Sequence, residues 1–200
     1  MPGEILLSTA YFPPASYFAL IRNSDKVLIE QEENYPRQTF RNRCNILAAG
    51  GVMVLSVPVS REGRIKIPTR DVTIDYSKRW QQVHLRALIS AYNRSPYFQY
   101  YFEYLETVLL KNHKFLLDLN NELLLKCMEI INIIKPVSLT SSFAPVSEDE
   151  NDYRYKIKPG TEPLIRTKPY IQVFGNNSFV PGLSILDLIF NTGPEAADYL

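Results

Sequence analysis

The clearest sign of ligand chemistry in the sequence is a pair of arginines one residue apart, Arg41-Asn42-Arg43. Side chains at i and i+2 share one side of an extended segment, and each guanidinium is a rigid fork matched to phosphate or carboxylate. In a cleft the pair would hold a nucleotide-sugar pyrophosphate. The competing reading pairs them with Glu30, Glu32 or Glu33. His84 is the candidate general base, one helical turn beyond Trp80. An imidazole with an unperturbed pKa of about 6.5 can take a proton from an amine at neutral pH, and burial lowers that value. Its competing reading is a core histidine bonded to backbone. Asp187 lies among Leu186, Leu188, Ile189 and Phe190, where an unpaired carboxylate would be costly. Arg43, His84 or a helix N-terminus is its expected partner. Ser184, His84 and Asp187 do not form a triad: Ser184 is outside any GxSxG elbow, and a helical Ser–Asp pair cannot place a histidine between them.

Several other chemistries lack their residues. There is no GxxxxGK[ST] loop, no GxGxxG after a strand, no HExxH and no EF-hand loop, so no metal is expected and the cofactor is left unknown. The two cysteines, Cys44 and Cys127, have no CxxC spacing and fit a reducing compartment. His113 sits in the turn Lys111-Asn112-His113-Lys114.

The elements that must position these groups follow from periodicity. Glu4 to Thr9 reads as a strand, broken by Tyr11-Phe12-Pro13-Pro14 because proline lacks a donor and restricts its predecessor. Ser16 is the expected cap of a short helix, and Lys26 to Glu30 is a second strand. Strand, helix, strand is the order of a parallel βαβ unit, with ligands expected beyond the carboxyl ends of the strands and at the helix start. Cys44–Leu47 and Val52–Val59 flank Gly50-Gly51, a hairpin signal in which glycine supplies positive φ. Ile65–Ile67 and Val72–Ile74 read as further strands. The stretch from Tyr35 to Arg70 holds seven basic residues against one acid.

Helices are expected at about 77–94, 97–110 and 114–134. Ser77 or Asp75 would cap the first, whose Trp80, His84, Leu88 and Ala91 share a face. Residues 138–158 read as a loop, Tyr170 to Phe174 as a strand and Leu183 to Phe190 as a short helix. The expected fold is a single α/β domain over 1–200. An N-terminal α/β part (about 1–76) with a mixed sheet packs on three central helices (77–136), followed by a C-terminal strand and short helices (169–200). The cleft is expected between the Pro-Pro turn, the Arg41–Arg43 segment and the Leu183–Phe190 helix.

With 200 residues and 46% hydrophobic side chains, the chain can bury a core without disulfides or metal. A net charge of +1 argues against a nucleic-acid binder working by bulk electrostatics. The start Met1-Pro2-Gly3-Glu4 lacks a basic n-region, and no apolar window is long enough to span a membrane, so a cytoplasmic protein is expected. Self-association through its many aromatic residues is left open.

Taken in order, several stretches resemble the WbqC-like protein family. They are Tyr11-Phe12-Pro13-Pro14 with Tyr17-Phe18; Asn34-Tyr35 before Arg41-Asn42-Arg43; and Leu55-Ser56-Val57-Pro58-Val59. They continue with Asp75-Tyr76-Ser77, Trp80 and His84; Ala91-Tyr92 with Ser95-Pro96-Tyr97-Phe98; and the run from Phe179 to Asp187. The resemblance implies a bacterial transferase that moves an acyl or aminoacyl group onto an amino sugar or nucleotide-linked sugar in surface-polysaccharide biosynthesis. On that reading Arg41 and Arg43 hold the anion, with Tyr11 and Trp80 beside the substrate. His84 deprotonates the amine, and Asn42, Tyr35 or Asp187 orients it. The alternative is a non-catalytic binding or scaffolding protein in envelope-polymer assembly.

Overall fold

The computed structural model describes residues 3–60, 63, 66–146, 151–175 and 178–200. Arg61, Glu62, Arg64 and Ile65, with which the expected strand Ile65–Ile67 begins, the acidic residues at 148–150 and Asn176-Asn177 lie outside them.

The chain begins with the expected βαβ unit. Strands β1 (Glu4–Ser8) and β2 (Lys26–Glu30) run parallel, joined through helix α1 (Ala15–Arg22). Ile5, Leu7, Val27 and Ile29 are buried, consistent with a parallel pair covered on its faces. The helix starts at Pro14, which serves as N-cap with φ −63° and makes no side-chain cap bond; Ser16 is therefore inside the first turn and not its cap. Proline suits a helix start because the missing N–H is one that would go unused.

The third member of this sheet is a correction to the sequence reading. Strand β7 (Val137–Leu139) follows Pro136 directly and pairs parallel with β2, giving the order β1-β2-β7. On the far side of β1, residues 151–153 add a single parallel bridge: Leu6 N–H donates to Asn151 O at 3.0 Å, and Tyr153 N–H to Leu6 O at 2.8 Å. The expected strand at Tyr170–Phe174 does not form; its polar groups are used by side-chain contacts described below.

The remaining strands make two small antiparallel sheets. Strands β3 (Arg43–Ala48) and β4 (Gly51–Ser56) are the expected hairpin. Positive φ falls on Gly51 alone (107°), the first residue of the return strand. Strand β5 (Val59–Ser60) pairs with β6 (Thr73–Ile74). A 3-10 turn at Thr69–Asp71 stands before β6.

Helices α2 (Trp80–Tyr92), α3 (Phe98–Leu109) and α4 (Leu116–Ile130) occupy the expected stretches. Trp80, His84, Leu88 and Ala91 form the buried face of α2. Its N-cap is Arg79, without a side-chain bond; Asp75 instead accepts from Ser77 N–H in a local turn at 2.8 Å. Helix α5 (Ile185–Thr192) is capped by Ser184, whose Oγ accepts from Leu186 N–H. One continuous core joins these helices to the sheets. Among the described residues no helix is long and apolar enough to cross a membrane.

Candidate functional site

Three backbone hydrogen bonds lace together the Pro-Pro turn, β3 and the start of α5. Ala15 N–H donates to Leu183 O (3.2 Å), Ile185 N–H to Pro13 O (2.9 Å) and Ser184 N–H to Asn45 O (2.8 Å). A two-chambered cleft opens at this junction, walled on the outside by irregular chain from 156 to 183. The smaller chamber, about 310 Å³, is lined by Ser16, Phe40, Asn45 and Val52 together with Lys156 and Lys158. The larger, about 510 Å³, has Tyr170 and Phe179 in its wall, with Ile165 and Arg166. Ser16, Glu162 and Leu183 border both chambers. Tyr170 and Phe179 meet edge to face, ring centroids 5.1 Å apart. The cleft lies beside the Pro-Pro turn and Leu183, as expected from sequence, but none of Arg41, Asn42 and Arg43 lines it, nor does any residue of α5. The side chains facing it are largely others.

Arg41 is buried and turned away from the cleft. Its guanidinium grips Glu33 with both forks, Nε to Oε1 at 2.6 Å and Nη2 to Oε2 at 2.9 Å, and Nη2 also donates to Arg154 O at 3.2 Å. Glu33 was among the expected structural partners. It was not expected that Arg154, almost wholly buried, would pair with both Glu30 (2.9 Å) and Asp152 (2.6 Å). Asn120 on α4 completes the cluster, donating to Thr9 Oγ1 (3.1 Å) and Arg41 O (2.8 Å). These ion pairs fill the space beyond the carboxyl ends of β1 and β2. Tyr155, stacked against Arg41 and bonded to Glu33, has its phenol pushed up to about 12 by burial and the Glu33 charge.

Asn42 donates to Val57 O at 2.9 Å. Arg43 is half-buried on β3, and its Nε has no hydrogen-bond partner among the described residues. Strand alternation places it on the same hairpin face as Asn45 and opposite Ser56, but it lines neither chamber of the cleft. Tyr35 is buried, and its N–H donates to Ile67 O at 2.9 Å.

His84 sits apart from the cleft. Its Nδ1 meets the Tyr11 hydroxyl at 2.8 Å, and the other side of the ring bonds the Ser56 backbone. A backbone bond that raises the imidazole pKa is one to a carbonyl, and the tautomer consistent with it has Nδ1 accepting from the Tyr11 hydroxyl. Burial dominates and holds His84 down to about 4. Trp80 packs edge-on against it at 5.1 Å, with a buried indole N–H that has no hydrogen-bond partner among the described residues. Tyr11 is fully buried, which pushes its hydroxyl far above the usual phenol range. A shallow depression of about 250 Å³ outside this pair is bordered by His84, Trp80, Lys78 and Arg79.

Asp187 is also buried, and its partners are neither Arg43 nor His84. Its Oδ2 accepts from Tyr170 OH (2.7 Å) and Gln172 Nε2 (2.9 Å), the Tyr92 hydroxyl stands close enough to favour the ionised form, and among the described residues no hydrogen bond reaches Oδ1 within normal geometry. Burial raises its pKa against the opposing pull of these donors. Gln172 further bonds the backbone of Val180 through both ends of its amide, 3.0 and 2.8 Å. These bonds hold Tyr170 and Gln172 between α5 and Val180, and among the described residues no strand pairs with the backbone of Tyr170–Phe174. They also shape the wall of the larger chamber. Only the burial argument at Asp187 hinted at them, since a lone carboxylate on an apolar helix must recruit donors from elsewhere.

The structure thus distributes the expected site residues over three places and does not bring Arg41, His84 and Asp187 together. Ser16, Asn45, Lys158, Glu162, Tyr170 and Phe179 line the cleft, and the sequence reading assigned none of these roles. Among the described residues no group of His, Cys, Asp and Glu side chains could hold a metal ion. Cys44 and Cys127 are free thiols, buried and thereby raised in pKa.

The model of the WbqC-like protein family matches residues 9–162 and 161–199. The chain belongs to the WbqC-like protein family. It is also similar to the uncharacterized protein Rv1507c of Mycobacterium tuberculosis (strain ATCC 25618 / H37Rv), at 27% identity over 229 aligned positions that cover 100% of this chain and 98% of that protein. No solved structure matches. In this WbqC-like chain the first matched segment holds α1, the hairpin and Glu162. The second holds Tyr170, Phe179 and α5, so the cleft is built from both.

Proposed function

We propose that this WbqC-like protein is a transferase carrying an acyl or aminoacyl group onto an amino sugar or its nucleotide conjugate, for surface-polysaccharide assembly. The sugar substrate would lie in the two-chambered cleft. The observation that carries this reading is the pairing of an aromatic chamber of about 510 Å³ with a lysine-bearing chamber of about 310 Å³, sizes typical of small-molecule sites. Aromatic faces suit a sugar ring or base, and lysines suit a phosphate. Family membership supports the reaction class. Of the arginine pair, Arg41 is committed to Glu33, while Arg43 keeps an unpartnered Nε on the hairpin face it shares with Asn45, though it lines neither chamber itself. Attack by a sugar amine on an acyl carbonyl requires the nitrogen to lose a proton, and Glu162, bordering both chambers, is the carboxylate positioned for that. His84 lines neither chamber and is buried against Tyr11, so it does not reach a substrate in the cleft. In this reading His84 holds the Tyr11–Pro14 turn in place.

The test is a thermal-shift screen against nucleotides, nucleotide-linked amino sugars, coenzyme A and glycyl donors, followed by mass spectrometry of the sugar after incubation with donor. A ligand at about 100 times its Kd should raise Tm by about 5–10 °C. Arg43→Ala should reduce that shift with little change in the unliganded Tm. Failure of every sugar ligand to bind, or a bound sugar that is never modified, would overturn the transferase reading.

The second reading, a scaffolding role without catalysis, is favoured by exposed tyrosines on α3, Tyr100 (68% exposed) and Tyr104 (57%). It expects a persistent dimer or partner complex in light scattering that is unaffected by Arg43→Ala.

A further inference from the structure

The first turn of α1 has a gap in its bonding. Ala15 N–H is taken by Leu183 O and Tyr17 N–H by Pro14 O, while Pro13 O is occupied by Ile185 N–H. Ser16 N–H is left without a backbone acceptor. Pro14, the N-cap, has no side chain able to fill the gap, and no acidic residue lies in this turn. Free N–H groups at a helix start, with the positive end of the helix dipole behind them, attract anions.

Two independent observations point the same way. The Ser16 side chain is only 4% exposed yet borders both chambers, and its hydroxyl makes no hydrogen bond to any described residue. A serine this buried normally satisfies its hydroxyl within the protein. The chamber it faces also carries unused donors and net positive charge. The Asn45 carboxamide is uncommitted, and two lysines stand against the single carboxylate of Glu162. Lys156 leans on the Tyr153 ring at 4.9 Å, leaving Lys158 as the ammonium for the ligand.

We propose that Ser16 is the seat of a phosphoryl group: its N–H and hydroxyl, the Asn45 amide and the Lys158 ammonium hold a terminal phosphate in the smaller chamber, with the sugar or base extending toward Tyr170 and Phe179. This rests on the cleft being the substrate site. It adds that the amino-sugar substrate arrives phosphorylated, and that it enters phosphate first. The start of α1 is held by two backbone bonds to the segment that opens α5, Ala15 N–H to Leu183 O and Ile185 N–H to Pro13 O, so the seat exists before ligand binds.

The experiment is calorimetric titration of the full chain with three probes: inorganic phosphate, glucosamine 1-phosphate and glucosamine. The wild type should bind the sugar phosphate at least tenfold more tightly than glucosamine, and should bind phosphate alone weakly but measurably. Ser16→Ala should weaken the two phosphorylated probes about tenfold, the loss typical of a hydrogen bond to a charged group. Lys158→Ala should do the same. Ser16→Asp should abolish binding of inorganic phosphate; an acid in a first turn suits the helix dipole, and its Tm verifies folding. Equal affinity for sugar and sugar phosphate, or phosphate binding that survives Ser16→Asp and Lys158→Ala, would overturn the seat while leaving the cleft reading intact. Phosphate binding that depends on Ser16, with no affinity for either sugar, would support the seat and count against the transferase reading. No binding by any probe would overturn both.

Discussion

The Tyr11–His84 pair makes a quantitative demand on pH stability. In the unfolded chain the imidazole titrates at about 6.5; in the folded protein burial lowers it to about 4. The unfolded state therefore binds the proton more tightly, and protons favour unfolding between these values. The stabilisation held by neutral His84 is fully present above pH 6.5. It declines as pH falls toward 4, and below that both states are protonated. Each pKa unit is worth 1.36 kcal/mol, so the loss across the window is about 3 kcal/mol. For a chain of this length that is a Tm decrease of about 6–12 °C. His84→Gln keeps an amide able to accept from Tyr11 but cannot titrate. It should be less stable at pH 7, and its stability should fall less steeply from pH 6.5 to 4. The assay is urea denaturation of both proteins at half-unit intervals across that range, read as a difference so that other titrating groups cancel. Parallel curves would refute the burial of a neutral imidazole bonded to Tyr11.

Other consequences follow from the same contacts. Arg41→Met strands the buried Glu33 carboxylate and should cost about 3–5 kcal/mol in urea unfolding, whereas adding Glu33→Leu should recover much of it. Asp187 titrates in the opposite sense. Its folded pKa is raised above 3.8, so the stability it contributes is present below that value and lost as pH rises through the folded pKa; Asp187→Asn should gain on the wild type as pH increases from 4 to 7. Gly193 has φ +57°, and a Cβ there would lie 2.4 Å from the Tyr97 ring, so Gly193→Ala should lower stability by about 2 kcal/mol or more in thermal melts.

The parts of the fold legible in the sequence are those with local causes. The Pro-Pro break after β1, the Gly51 return of the hairpin and the repeat of apolar residues in α2 and α4 each leave their mark within a dozen residues. The errors have distant causes. Tyr170–Phe174 has the residue types of a strand, but Asp187 and Val180 claim its side chains. Val137–Leu139 carries no strand signal of its own and is recruited by the exposed edge of β2. Ser16 has the type of a helix cap, yet Pro14 starts the helix two residues earlier. The cleft's location was legible because adjacent elements create it. Its lining was not, because most of it comes from residues 156–183, where no periodicity says which way a side chain points. Arg41 illustrates the limit: its charge and spacing fit a ligand, and only the position of Glu33 determines otherwise.

Arg154 ties the irregular chain after β7 to Glu30, 124 positions earlier, and the 151–153 bridge ties it to β1. Both attachments join groups far apart in sequence, and the paired β1 and β2 present Leu6 and Glu30 together for them. Closing a loop this long brings its entropic cost before any contact rewards it. The outer wall of the cleft is therefore the last part of the molecule to be built in refolding and the first to open under native conditions. In hydrogen exchange its amides should trade deuterium well before those of α4, and ligand added during refolding should accelerate only the final phase.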